Sequence, residues 1–359
     1  MHRFASFVII ATLPALGADY APRPDLDAGR YLKALDDAEA VLRAEPGNAL
    51  AWAAKSQALT ALVRLPEAGE AAQKAMMLKP GLADALLARG LVRGGVAVQQ
   101  RNLSSLRQIA DAMDDLKAAT QADPSLVTAW MTLGLAYEQV PGILGGSTRK
   151  ALECAQSLRK VDAPRGDLLQ GTVLTMEGKW PQALPCFHRA LAEAPGDPEV
   201  IYGYLDALGT RETRKVLGDA EQKRLQAQEA MRLLPAARNR ARPLTAICDA
   251  LLDADRADDA WRLAEQALPS TDSPSMLRLQ LGKIAARSGR HLEAGLAMLD
   301  QVLREPLEGG TGGYGSAHWR RGQILQRLGR KDEARAAAQA ALRIDPKDNK
   351  AARLLKELS

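Results

Sequence analysis

The chain has 359 residues, with 48 Lys and Arg against 43 Asp and Glu for a formal charge of +5, and 47% hydrophobic residues. Its 65 Ala and 54 Leu far outnumber its 22 Val and Ile, and aromatic residues are only 4%. Strands favour β-branched and aromatic residues while helices favour Ala and Leu, so this composition excludes a sheet-based fold and predicts an all-α protein with charged, solvated helix faces.

The first element is an N-terminal leader. Met1-His2-Arg3 is followed by the uncharged run Phe4 to Leu16 and by small residues around Gly17 and Ala18. A basic start, a short apolar run and a small-residue site predict a secretory signal peptide over residues 1–18. The run falls short of the roughly 20 residues that span a bilayer. The expected location is the periplasm or another exported compartment, with an uncleaved anchor in the inner membrane as the alternative. Cys154, Cys186 and Cys248 are odd in number and widely spaced, which predicts small buried packing residues and no disulfide framework.

After a linker at residues 19–28, a lone helix is expected from about Arg30 to Glu45, and then a repeat begins. Gly171 to Ala183, Gly282 to Ala294 and Gly322 to Ala334 are each 12 apart, and Pro46 to Pro80 is 34. Gly at the eighth place of a unit lets two antiparallel helices approach, Ala at the twentieth packs against it, and Pro near the end stops the second helix. This spacing places unit starts at Ala49, Ala83, Val127, Pro164, Pro198, Ala241, Ser275 and Gly315. Leu205 and Cys248 stand where Gly is expected in two of the central units, so the register is weakest between about 209 and 240. The repeat runs over 29–348, and the Lys- and Glu-bearing helix at 349–359 has the polar character of a cap.

Trp130-x-x-Leu133-Gly134-x-x-Tyr137, together with Ala183-x-x-x-Phe187 and Pro195, resembles the two helix signatures of the tetratricopeptide repeat family. The resemblance extends from about residue 29 to the end. It implies a right-handed superhelical solenoid of helix-turn-helix units whose business is binding a protein or peptide partner. It also implies that the first helix of each unit lines a concave groove through its second, fifth, ninth, twelfth and thirteenth residues. Among the residues so placed, Met131, Gln139, Tyr202, Asp206, Asp249, Trp319 and Gln323 are the partner-binding candidates, Tyr202 and Trp319 being the large anchors. The family's chaperone-binding members clamp a carboxylate with a Lys/Asn/Arg set, and no Asn falls at these positions.

Three units have a longer spacing between their paired helices than the usual 12. Gly90 to Ala112 is 22, Gly134 to Ala151 is 17, and Leu205 paired with Ala227 would add ten more residues. In a solenoid such insertions in the turn between paired helices line up along one rim. The middle one, Pro141-Gly-Ile-Leu144-Gly145-Gly146-Ser147, reads as a loop ending in a Ser helix cap. Between Arg211 and Arg242 nine basic residues face four acidic ones, which predicts a solvated helix surface, with an acidic protein or anionic lipid as the alternative contact.

No local pattern supplies chemistry. Gly310-Thr-Gly-Gly-Tyr-Gly315 fits G-x-G-x-x-G, but the segment before it is helical where a dinucleotide fold needs a strand. Cys186 and His188 lie about 200° apart around a helix, so they cannot grip one metal together. His188, His291 and His318 fall in separate units, and no zinc, phosphate-loop or nucleophile-elbow motif occurs. The expectation is a non-enzymatic interaction scaffold in the cell envelope with no metal or cofactor and no nucleic-acid partner. The rival expectation is a ligand-binding or transporter-accessory protein enclosing a small molecule between Met131, Met176, Tyr202 and Trp319.

Overall fold

The computed structural model describes residues 20–100, 104–308 and 313–358. The leader and the Gly310–Gly312 part of the glycine motif lie outside the described residues. Among the described residues there are twenty α-helices and no strand. The chain opens with α1 (Arg23–Asp27) and α2 (Tyr31–Ala44). Paired helices follow: α3 (Ala49–Ala61) with α4 (Leu65–Leu78), α5 (Ala83–Gln100) with α6 (Ser104–Ala122), α7 (Val127–Gln139) with α8 (Thr148–Arg159), and α9 (Ala163–Met176) with α10 (Trp180–Glu193). Next come α11 (Pro198–Leu208), α12 (Arg211–Leu217) and α13 (Asp219–Ala237). The array ends with α14 (Ala241–Asp253) and α15 (Ala257–Ala267), α16 (Pro274–Ser288) and α17 (Leu292–Val302), α18 (Gly313–Arg327) and α19 (Lys331–Ile344), and α20 (Asn349–Glu357). Each unit start expected from spacing falls within two residues of an observed helix start.

Each first helix packs on its own partner and, for most units, on the first helix of the next unit: α3 on α5, α7 on α9, α9 on α11, α11 on α14, α14 on α16, and α16 on α18. The buried side chains run through the stack in three overlapping clusters, from Leu26 near the start to Leu358 at the end. The eighth-to-twentieth contact is physical and not merely periodic. A Cβ on Gly90 would lie 3.2 Å from the carbonyl oxygen of Ala112, and one on Gly322 would lie 3.3 Å from that of Ala334. Where the eighth residue carries a donor, it uses that carbonyl: Ser56 Oγ donates to Ala68 at 2.8 Å, and Cys248 Sγ to Ala260 at 3.5 Å. Cys248 therefore fits the repeat. All three cysteines are buried and free, and burial pushes their thiols above the usual range.

Replacing Gly134 by Leu tests the packing. A Cβ there would meet Leu169 Cδ2 of the following unit at 2.7 Å and Cys154 Cβ of its own pair at 3.3 Å. Overpacking of this kind is expected to cost about 1 to 3 kcal/mol. A lowered midpoint in thermal denaturation is the expected result; an unchanged one contradicts the register.

The insertions differ from expectation in two of three places. The ten extra residues of the second unit lengthen its helices, so that α5 and α6 reach 18 and 19 residues. Those after Leu205 form the additional helix α12, set off by Gly218 at φ +81° and fastened by Gln222, whose amide donates to the carbonyls of Leu208 and Thr210. Neither insert contains a proline, and the Gly94-Gly95 pair of the first is taken up inside α5, where enough good helix formers surround it to extend the helix. Among the described residues of the three insertions, only Pro141–Gly146 forms a loop, and Ser147 caps α8 by accepting from the Lys150 amide.

The linker expectation at 19–28 also changes. Prolines at 22 and 24 suit the first turn of a helix, and α1 forms there. Gly29 at φ +72° then reverses the chain into α2.

Eight of the nine basic residues between 211 and 242 lie on or beside α12 and α13, Arg242 lies on α14, and six of the nine are ion-paired. Arg214, Lys215, Lys223, Arg224 and Arg232 bind nearby carboxylates, and Arg242 binds Glu199. The pairs on α12 and α13 agree with a solvated helix surface, whereas Arg242 and Glu199 face the recess described below.

Candidate functional site: the concave lumen

The lumen is built from the N-terminal halves of successive first helices. The second residue of five consecutive units is Asp84, Thr128, Arg165, Glu199 and Arg242, polar in every case. Four of these, Thr128 to Arg242, line a recess of about 350 Å³ together with Leu26, Asp27, Tyr31 and Met131.

The row is held rigidly. Arg165 binds both oxygens of Asp197 at 2.9 to 3.2 Å, and Asp197 in turn caps α11 through the amides of Glu199 and Val200. Arg242 pairs with Glu199 while its guanidinium lies 4.3 Å from the centroid of the Tyr202 ring. Burial pushes the carboxyls of Asp27 and Glu199 above the usual range. The Thr128 hydrogen bond opposes this at Asp27, and the Arg242 charge opposes it at Glu199.

The residue that departs most from the linker reading is Arg23. Its guanidinium donates through Nη2 to Asp84 at 2.8 Å and to Asp123 at 2.7 Å, and through Nε to Asp84 at 3.2 Å. Asp27 accepts from Thr128 Oγ1 at 2.8 Å, and the Leu32 amide donates to Glu308 at 3.1 Å. The segment that begins the described chain is therefore bound inside the superhelix and touches its second and third units and the connection leading into its last.

A second recess, about 200 Å³, brings together Tyr202, Asp206 and Asp249 with Asp253, Lys283 and Arg287. Asp249 binds Lys283 at 2.6 Å and accepts from Gln280 at 2.8 Å, and Asp253 binds Arg287 at 2.7 Å. The walls around Asp206 raise its carboxyl, helped by the charge of Asp249.

Trp319 stands apart in a third recess of about 610 Å³, between the end of α3 and the last unit, where Leu62, Val63 and Ile344 also lie. The Arg320 guanidinium and the Lys350 ammonium sit 4.9 and 5.0 Å from its ring centroid. Of the remaining candidates, Gln139 is exposed at the end of α7, and Gln323 on α18 has a buried carboxamide oxygen without a protein hydrogen-bond partner. Pro141, Leu144, Gly145 and Gly146 belong to the inserted loop before α8, where Ile143 is 94% exposed.

The structure thus brings Tyr202, Asp206 and Asp249 together and leaves the other candidates apart. The four residues proposed to enclose a small molecule do not share a cavity. Met131, Tyr202 and Trp319 line different recesses, and Met176 is on the surface. The residues missed by sequence reasoning are those at the second position. Their signal was present, because that position belongs to the groove pattern and five successive polar residues occupy it. Among the described residues, no group of three or more His, Cys, Asp or Glu could hold a metal ion, and no helix is long and apolar enough to cross a membrane.

This architecture is that of an α-solenoid of stacked helical hairpins with a polar lumen. Residues 25–83 and 315–348 match sequence profiles of the tetratricopeptide repeat. Among solved structures, the chain is similar to a thermophilic tetratricopeptide repeat protein of Thermus thermophilus, with 20% identity over 52% of this chain and 99% of that one and a TM-score of 0.44. It is also similar to yeast Tom70, with 12% identity, 94% and 79% coverage and a TM-score of 0.49. For PilF of Pseudomonas aeruginosa the values are 16%, 66%, 98% and 0.41. No curated protein sequence matches this chain. The chain thus carries tetratricopeptide repeats at both ends with the same helical hairpin repeated between them, and such repeats support a protein-interaction scaffold in general.

Proposed function

We propose that this protein is a non-enzymatic scaffold of the cell envelope that holds a segment of a partner protein in its concave lumen. The observation that carries this reading is the polar row from Asp84 to Arg242, which is fixed by ion pairs and is already engaged by a stretch of polypeptide. Ion pairs that hold the walls in place reduce the ordering cost of binding an extended chain. The Pro141–Gly146 loop, with its exposed Ile143, is a secondary contact on the rim. Export through residues 1–18 supplies the envelope location, and fractionation of a tagged chain tests it.

A photo-crosslinking residue at Met131, inside the central recess, is expected to capture a protein in an envelope fraction. The same residue at Met77, which is 69% exposed, is expected to capture none. Capture at Met77 with none at Met131 would contradict the reading.

A further inference from the structure

We propose that residues 20–30 are a tethered pseudo-ligand of the lumen, and that the site they fill selects peptides carrying an arginine followed three residues later by a leucine. The inference rests on the reading of the lumen as a peptide site and adds the chemistry it recognises. Its centre is Asp84, whose side chain is only 4% exposed. Among the described residues its ion-pair partner is Arg23, which lies 61 positions away along the chain. The N-terminus of α5 favours the negative charge of Asp84. Removing the guanidinium would leave that carboxylate buried with no cation, so the site requires a replacement. Asp123, held by the Ser125 amide and hydroxyl, supplies a second acceptor at 2.7 Å from the same guanidinium nitrogen. Two carboxylates converging on one planar fork favour arginine over lysine.

The rest of the segment looks like a ligand. Pro22 and Pro24 flank Arg23 and fix the backbone on either side, which lowers the entropy lost on binding. Leu26 is buried against the first-unit cluster, and Asp27 reaches Thr128 on the next wall. Asp25 is paired with Arg30 within the segment and with Lys33 on α2, so its charge is satisfied without the lumen. What remains beside the segment is the 350 Å³ recess. A partner using the same walls must displace residues 20–30.

The test titrates a fluorescent peptide of sequence Tyr20 to Arg30 into the full chain and into its Arg23→Ala/Leu26→Ala variant, with circular dichroism on each. A tethered segment competes at an effective concentration of about millimolar, so the variant is expected to bind the peptide at least ~10-fold more tightly than the parent. The same peptide with Arg23→Ala is expected to bind neither. Equal affinity for parent and variant, or undiminished binding of the Ala peptide, overturns the proposal. If the double variant loses helicity, Arg23→Lys takes its place. It keeps the charge but not the fork, and a gain of several-fold is expected, with none overturning the proposal. Peptide binding without a Met131 cross-link would remove the external partner and keep the pseudo-ligand, and the reverse result would do the opposite.

Discussion

Phe187→Ala is expected to cost about 3 to 5 kcal/mol, in the range for a fully buried aromatic. Phe187 has no exposed surface and sits between Trp180 and Tyr204, with ring centroids 6.1 and 5.5 Å away. It fits there because Gly171 has no side chain: a Cβ on Gly171 would lie 2.9 Å from two ring atoms. This makes the prediction a double-mutant cycle. Gly171→Ala alone is expected to destabilise through overpacking, but in the Phe187→Ala background the added methyl enters the space the ring has left. The two changes should therefore cost less together than the sum of each alone. Additive costs would mean that Gly171 does not face Phe187. The loss should also be local, because a repeat touches chiefly its neighbours. Hydrogen exchange is expected to quicken in α9, α10 and α11 well before α3 and α4.

That site shows what was legible in the sequence. Gly171, Ala183 and Phe187 announce their unit through spacing alone, since close helix packing requires a small residue at one place and a large one at another. Helix starts were recoverable for the same reason, even in the central stretch, where Cys248 takes the place of Gly by hydrogen bonding to Ala260. The lumen was less legible. Its candidate positions follow from the repeat, but how far the superhelix curls does not, and the curl decides that Tyr202, Asp206 and Asp249 share a recess while Trp319 lies in another. The insertions misled because extra length says nothing about conformation. Pro and Gly made the Pro141–Gly146 segment a loop, and residues with good helix propensity turned the other two into helix. Residues 19–28 were illegible as a ligand because Arg23 finds its partners 61 and 100 residues away, across a closure that local patterns do not encode.

The second large effect is expected at Asp167, and its size depends on which partner is removed. Asp167 is fully buried, and its carboxylate receives Arg189 Nη2 at 2.8 Å and Arg159 Nε at 3.3 Å. Each arginine side chain is 42% exposed. The bond to Asp167 pushes the Arg189 guanidinium above its usual range, although burial opposes it. When one arginine is lost, the other still neutralises the carboxylate. When both are lost, a buried charge has no partner, a state worth about 3 to 5 kcal/mol of destabilisation. Arg159→Ala/Arg189→Ala should therefore cost far more than the two single changes added together. Asp167→Leu should be much milder, because the freed arginine heads can turn to water and an apolar side chain can occupy the buried site. The ordering is what denaturation midpoints would check: Asp167→Leu least, each arginine variant next, and the double variant worst. Asp115 offers the same arrangement two units earlier in the chain, with Arg89 and Arg93 each 2.5 Å away, and should give the same order. Asp84 differs in having one arginine in place of two, Arg23, which arrives on the segment proposed to be displaced. The structural pairs at Asp115 and Asp167 thus measure what the Asp84 site loses when Arg23 departs, and hence how strongly that site would select an arginine in its place.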